Sequence, residues 1–254
     1  MTGPIDRRRL LGAAALGGGS LILAGCDRLN GSAGFRSLLQ EAEGWNMASQ
    51  RLIGGQRLAP EFSIADLSPD FRANGSRSAA GNAVWEGHVA AGFANWALRV
   101  DGLVRRPLDL SLPALAALPQ QTQITRHDCV EGWSAIGQWT GPRLGPILRA
   151  AGLLPQARFI VFHCADTLGS MPYYESIDLL DAFHPQTILA LRMNGQPLPV
   201  RHGAPVRLRV ERQLGYKQAK YIMRVEARAS LAGLYGNKGG YWEDHSDYPW
   251  YAGI

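Results

Sequence analysis

Residues 125–134 read TRHDCVEGWS, and the role given to Cys129 in this stretch decides how the whole chain is read. A lone thiol between charged residues and a Gly-Trp pair has three available roles: half of a disulfide, a nucleophile, or a metal ligand. If the segment is extended, His127 and Cys129 share a face. The rise between them is then about 7 Å, too long for direct proton transfer. His163 and His184 are other candidate bases, but no pattern singles either out. His163 and Cys164 are neighbours on an expected strand and face opposite ways, and no residue pair has the spacing of a zinc site. Cys164 is the available disulfide partner in an oxidising compartment. The residues around Cys129 leave all three roles open.

Working outward, RFIVFHC at 158–164 reads as a buried strand, and NWALRVDGLV at 95–104 as a strand with a turn. Pro142–Gly152 has a helical pattern, with Leu144, Ile147, Leu148 and Ala151 on one face and Gly152 as its stop. Ser176 is the expected cap of a short helix through Ala182, ended by His184-Pro185. Val206–Glu211 alternates as a strand does, and so does part of Lys220–Glu226. Strands and helices interleave irregularly, which implies an α+β domain rather than a doubly wound sheet. No Gly-rich phosphate loop or dinucleotide fingerprint occurs. Upstream, Pro60–Gly92 reads as a long irregular segment, a kind that often carries function. Residues 27–36 read as a flexible tether, followed by a helical stripe of Leu38, Ala42, Trp45, Ser49 and Leu52 that stops at Gly54-Gly55. The aromatic-rich close, GGYWEDHSDYPWYAGI, shows no helical pattern and reads as a tail packed on the core, bordering the site.

At the N-terminus, Arg7-Arg8-Arg9-Leu10-Leu11 precedes a weakly apolar run, the pattern of twin-arginine export. The run falls short of the ~20 residues that span a bilayer. Leu23-Ala24-Gly25-Cys26 resembles a lipoprotein cleavage box, and an acylated Cys26 would hold the protein at a membrane surface. An uncleaved anchor with an incidental cysteine is the competing reading. Twin-arginine export carries folded proteins, which suits a cofactor inserted beforehand. Without residues 1–25 the formal charge falls from +5 to +3, too small a surplus to argue for nucleic acid. About 230 residues then remain, enough for a large core, and the composition excludes disorder and repeat arrays.

Four segments together carry a family resemblance. DCVEGWS at 128–134 resembles the cysteine motif of the bacterial periplasmic branch of the sulfite-oxidase family, the branch that includes the molybdenum-dependent methionine-sulfoxide reductases. RHGAPVRLRVERQLGYKQAKYI at 201–222 is similar to the second signature, FRANG at 71–75 to the first cofactor-contacting stretch, and WALRVDGLVRRPLDLSL at 96–112 to the opening strands. The resemblance implies a sulfite-oxidase-type α+β fold of mixed sheets and short helices, without the family's C-terminal dimerisation domain and hence monomeric. The expected layout is residues 1–25 as signal peptide, 26–59 as tether and amphipathic helix, and 60–254 as the molybdopterin-binding catalytic domain, in a periplasmic or extracytoplasmic protein.

The implied cofactor is Mo-molybdopterin, with Cys129 as thiolate ligand to molybdenum, a soft donor for a metal that cycles between oxidation levels. Arg207 and Lys220 match residues that contact the cofactor, whose phosphate needs cations and backbone donors. Gln218 and Ala219 offer backbone groups beside them. Asn74 and His202 match pterin contacts, and Cys164 falls where the reductases have a threonine near the cofactor. Tyr173 matches a tyrosine whose hydroxyl bonds substrate oxygen, and Arg72 an arginine of the sulfite site. Each position also has a plain alternative: a core tyrosine, a packed thiol, an exposed strand arginine, a solvated lysine. The chain departs from sulfite oxidases after the cysteine, where VEGWS replaces an Asn-Arg-containing sequence. The expected chemistry is therefore oxygen-atom transfer on a small S- or N-oxide rather than on sulfite. Electrons would pass to or from a separate haem or quinone-linked partner, since no Cys-x-x-Cys-His motif occurs. A metal-free scaffold lipoprotein and a cysteine hydrolase are the rival expectations.

Overall fold

A computed structural model describes residues 31–254; Arg7–Arg9 and Cys26, which carry the export and acylation expectations, lie outside the described residues. The chain divides into two compact units, one ending at Gly55 and one spanning Gln56–Ile254. The described part of the first unit is helix α1, Ala33–Gly54. The Ser32 side chain caps it by accepting from the Phe35 N–H, and Gly55 closes it at φ 49°. The end of the expected tether is thus helical, because Ser32 supplies the cap. Its apolar stripe stays exposed at Leu38, Trp45 and Leu52. Among the described residues, no helix is long and apolar enough to cross a membrane.

Near the start of the second unit, Ala59 N–H donates to Gln186 Oε1 at 2.7 Å and ties the segment down. In chain order it holds α2 (Ala83–Ala90), β1 (Ala97–Gly102), β2 (Leu108–Ser111), α3 (Leu112–Ala117), β3 (Gln120–Asp128) and β4 (Ser134–Pro142). There follow α4 (Leu144–Ala151), β5 (Phe159–Leu168), β6 (Met171–Asp178), α5 (Leu179–Ala182), β7 (Ile188–Ala190), β8 (Arg192–Met193) and β9 (Gln196–Pro197). The last elements are β10 (Arg207–Arg209), β11 (Ile222–Arg228) and α6 (Tyr241–Ser246). They build a five-stranded sheet in the order β2-β1-β11-β5-β6, a four-stranded sheet β3-β4-β8-β9, and a two-stranded pair β10-β7. The β1–β11 pairing is parallel and its neighbours are antiparallel, so the sheet is mixed, as an α+β domain requires. The main core packs Leu98 and Val100, Ile160 and Phe162, and Val225 against Leu144, Ile147, Leu148 and Ala151 of α4. Each such fully buried aliphatic or aromatic side chain contributes about 1.5–3 kcal/mol of transfer free energy. The helical face legible in 142–152 is the one that is buried, and Gly152 ends α4 at φ 71°.

Four local expectations are corrected. Pro60–Gly92 is not irregular throughout: Asn82 caps α2, accepting from the Trp85 N–H, and Trp85 buries its ring 5.4 Å from that of Tyr221. Ser176 is not a cap but lies inside β6 opposite Val161, and Asp178 caps α5 by accepting from the Asp181 N–H. The alternation of Val206–Glu211 does not divide core from solvent, because both faces of β10 are covered and Arg207 and Arg209 are 0 % exposed. The closing segment is partly helical, with α6 ended by Asp247 at φ 52°.

Candidate active site

Strands β3 and β4 form an antiparallel hairpin in register from Asp128 opposite Ser134, and Cys129 opens its turn. Cys129 N–H donates to Trp133 O at 2.9 Å, Gly132 N–H donates to Cys129 O at 3.0 Å, and Gly132 takes φ 85°, which favours glycine. Backbone bonds therefore fix the turn and leave the thiol free to face a cleft of about 630 Å³, its open mouth included. Burial raises the thiol's pKa, and a backbone hydrogen bond from Glu131 offsets part of the rise. His127 gives it no help. The imidazole is fully buried between Phe71 and Trp133, and its Nδ1 accepts from Arg209 at 3.1 Å. Burial and the two nearby arginines push its pKa well down, so it stays neutral. Cys129 thus lacks the activated thiolate of a hydrolase. Cys164 is also a free thiol, so the disulfide reading falls; its sulfur lies 3.9 Å from Phe162 O, and burial raises its pKa strongly.

Four buried cations surround this region, and their partners sort them. Arg209 forks onto Glu211, with Nε to Oε1 at 2.9 Å and a second bond to Oε2 at 2.5 Å. Lys217 sits between Glu175, at 2.7 Å, and Glu243. Arg207 and Lys220 have no ion pair among the described residues. Arg207 donates to His202 O and Asn74 Oδ1, each at 3.3 Å, and leaves Nε unpartnered. Lys220 Nζ donates to Asn74 O at 2.6 Å and to Ser76 O. Burial first, and neighbouring cations next, lower Arg207 to about 9, Lys220 to about 7 and His202 to about 4. His202 Nδ1 and Gln218 Oε1 are also buried without partners. Gly203, at φ 111°, lets the chain turn here, for a Cβ would stand 2.8 Å from that of Lys220. A Cβ on Gly215 would meet His127 Nε2 at 2.4 Å, so the 3-10 turn Gly215–Lys217 also needs its glycine to close on β3. Uncompensated buried cations beside orphaned donors and acceptors fit an anion rich in hydrogen-bonding groups, such as a pterin phosphate. Among the described residues no three His, Cys, Asp or Glu side chains cluster as metal ligands. A metal here would rest on one thiolate and on ligands that the protein does not supply.

Of the expected site residues, Asn74, Cys129, Tyr173, Gln218 and Lys220 line the cleft together. Arg207 stands behind Asn74, bonded to it, and His202 lies behind Arg207. Ala219 is buried outside the lining, its carbonyl taken by Leu208 N–H at 2.8 Å, and Cys164 packs against the main core. Arg72 is exposed and outside the lining, its guanidinium 5.8 Å from the Trp133 ring. Tyr173 lies on β6 rather than beside a helix, and its hydroxyl donates to Tyr216 O at 2.6 Å. The structure adds Ser76, Asp166, Trp242 and Tyr248 to the lining. Asp166 is buried with Oδ1 unpartnered, while its Oδ2 accepts from Ser76 Oγ; burial raises its pKa. The β5 run continuing past Cys164 was the signal that could have found Asp166; the aromatic-rich close reads as bordering the site, but no spacing in it singles out Trp242 or Tyr248.

A mixed-sheet α+β domain with one cleft thiol and two unpaired buried cations defines a protein that binds an anionic prosthetic group. The chain belongs to the oxidoreductase molybdopterin binding domain family, whose model matches residues 86–232. Its cofactor is Mo-molybdopterin and it is an oxidoreductase. A relative from Azospira oryzae, provisionally named protein-methionine-sulfoxide reductase subunit YedZ1, is 37 % identical over 97 % of this chain and 87 % of its own length. The protein-methionine-sulfoxide reductase catalytic subunit MsrP of Xanthomonas campestris is 34 % identical over 51 % of this chain, which spans 44 % of that relative. The sulfane dehydrogenase SoxCD of Paracoccus pantotrophus shares the fold at TM-score 0.50 and 22 % identity, over 54 % of this chain and 39 % of its own.

Proposed function

We propose that the protein reduces a small sulfoxide by oxygen-atom transfer, with Cys129 as the molybdenum ligand and electrons drawn from a separate redox partner. The observation that carries this reading is the pair of unpaired buried cations, Arg207 and Lys220, joined through Asn74 to the cleft that Cys129 faces. Left without an anion, two such charges cost several kcal/mol, which argues against a scaffold that has lost its cofactor. When bound, molybdenum supplies a centre that accepts one oxygen atom with a two-electron change. This chain's residues do the rest. Arg207 and Lys220 neutralise the phosphate, Asn74 positions both cations, and Gln218 and His202 meet polar pterin atoms with groups that now lack partners. Tyr173 holds the cleft wall, with its ring stacked 5.7 Å from Tyr241.

The cleft's charge favours a neutral oxide. Lys220 is the cation among its lining residues and is assigned to the phosphate, whereas Glu131 and Asp166 are acidic. A sulfite dianion would enter without paired donors, at a cost of several kcal/mol per unpaired charge. The relatives named for methionine-sulfoxide reduction support an S-oxide over an N-oxide. The test uses protein from a host that makes the cofactor. It should contain molybdenum, and a reduced viologen should drive reduction of methionine sulfoxide with higher kcat/KM than sulfite gives in the oxidative direction. Arg207→Met should stay folded and lose molybdenum, because one charged donor to a phosphate is worth about 1.5–3 kcal/mol. Full metal occupancy in that variant, or sulfite as the better substrate, refutes the assignment.

The protein is further proposed to be exported by the twin-arginine route and anchored through acylated Cys26. Arg7→Lys combined with Arg8→Lys should leave it in the cytoplasm, and Cys26→Ser should release it from membranes on fractionation. Membrane association that survives Cys26→Ser favours an uncleaved anchor instead.

A further inference from the structure

The segment after residue 232 lies beyond the family match, yet it reaches the cleft. It is strapped to the domain by side chains from several elements. Glu243 pairs with buried Lys217, Tyr174 donates its hydroxyl proton to Asp244, and Gly236 N–H donates to Asp244 at 2.9 Å. Tyr216 hydroxyl donates to Pro249 O at 2.7 Å, and Trp250 Nε1 donates to Ser176 Oγ at 2.8 Å. The strap holds two partly exposed rings in the lining. Trp242 and Tyr248 are stacked at 5.7 Å and 20°, and Tyr248 meets Tyr216 edge-on at 5.1 Å. The reversal at Asp247, φ 52°, folds Tyr248 back onto the indole.

We infer that the indole of Trp242, backed by Tyr248, packs against the alkyl group beside the oxide, making this C-terminal strap the element that selects alkyl sulfoxides. The inference rests on the function proposed above. The chemistry favours it: the face of an aromatic ring is electron-rich and attracts the polarised hydrogens of an alkyl group next to sulfur, and sulfur itself packs well on aromatics. A rigid, half-exposed ring pair in the same cleft as the thiol offers such a surface, and the carboxyls of Glu131 and Asp166 turn anionic oxides away. A larger alkyl or aryl group on the sulfoxide gains more from the wall than a methyl does.

The test compares the wild-type holoprotein with Trp242→Ala and Trp242→Phe. The probe is methyl p-tolyl sulfone, which keeps the shape of the sulfoxide but is not reduced, and its binding is read by calorimetry. Molybdenum content is measured alongside. Trp242→Ala should bind the sulfone about tenfold more weakly at unchanged molybdenum content, and Trp242→Phe should recover most of the loss. The preference for methyl p-tolyl sulfoxide over dimethyl sulfoxide in kcat/KM should fall by a similar factor. Unchanged sulfone binding overturns the inference. So does a loss of molybdenum in step with binding, which would assign the indole to the cofactor. Should Trp242→Ala fail to fold, Tyr248→Leu carries the same reading with a smaller expected loss, and wild-type binding in it is equally fatal. A wild-type protein without molybdenum or sulfoxide reduction defeats the proposed function, whereas the effect of Trp242 on sulfone binding stands or falls separately.

Discussion

Cys129→Ala should abolish oxide reduction, with kcat/KM down by more than about 100-fold, since substitutions merely behind a metal ligand already cost 10–100-fold. The molybdenum electron-resonance signal should vanish or change its ligand signature. The fold should survive, because the turn is held by backbone bonds from Cys129 N–H to Trp133 O and from Gly132 N–H to Cys129 O, neither of which needs the thiol. Thermal unfolding of the variant therefore separates lost chemistry from lost structure. Full activity in Cys129→Ala would remove the thiolate from the mechanism. Labelling of wild-type Cys129 by electrophilic esters would instead point to a nucleophile, against the raised pKa that burial imposes on it.

The second large effect is on stability. Lys217 is fully buried, and its ammonium ties Glu175 of β6 to Glu243 of α6. Burial first, and then the charge on Glu243, raise the Glu175 carboxyl well above the usual carboxylate range, so the two acids and one base are compatible only while the lysine stays between them. Lys217→Met removes the cation and leaves both carboxyls buried. Breaking a buried pair from one side costs about 3–5 kcal/mol, or roughly 6–20 °C in Tm for a domain of this size. Glu243→Gln should cost less, because Lys217 keeps Glu175. Since α6 carries Trp242 next to Glu243, Lys217→Met should also weaken sulfone binding, whereas Arg207→Met should not destabilise the metal-free protein. Equal melting of wild type and Lys217→Met would show that the triad does not hold the strap.

Much of this was legible along the chain because the features are local. The α4 stripe of Leu144, Ile147, Leu148 and Ala151 needs only helical spacing, and its buried face is the predicted one. Cys129 sits in a hairpin whose two strands flank it directly, so its motif and its position in the cleft are set within a few residues. The 201–222 signature likewise holds Arg207, Gln218 and Lys220 in one continuous run, and the cofactor contacts it suggests form one neighbourhood. Reading failed where the deciding partner lies far away. Val206–Glu211 alternates as an exposed strand would, but β7 and the chain at Ala219 pair with its two edges and the Trp139 ring lies 5.1 Å from the Arg207 guanidinium, so the expected exposed arginine is buried. Four cations look alike in sequence; only folding shows that Arg209 and Lys217 meet carboxylates while Arg207 and Lys220 do not. Nor does the sequence show the contacts of Tyr173 and Arg72: the tyrosine hydroxyl donates to a carbonyl on the 3-10 turn, and the arginine lies 5.8 Å from the Trp133 ring. Residue identity and spacing along the chain therefore determined the cofactor class and local elements such as α4. Which charges remain unpaired, and which aromatic rings wall the cleft, was decided by tertiary structure alone, because burial and charge pairing depend on contacts between segments tens of residues apart, as between Lys217 and Glu175.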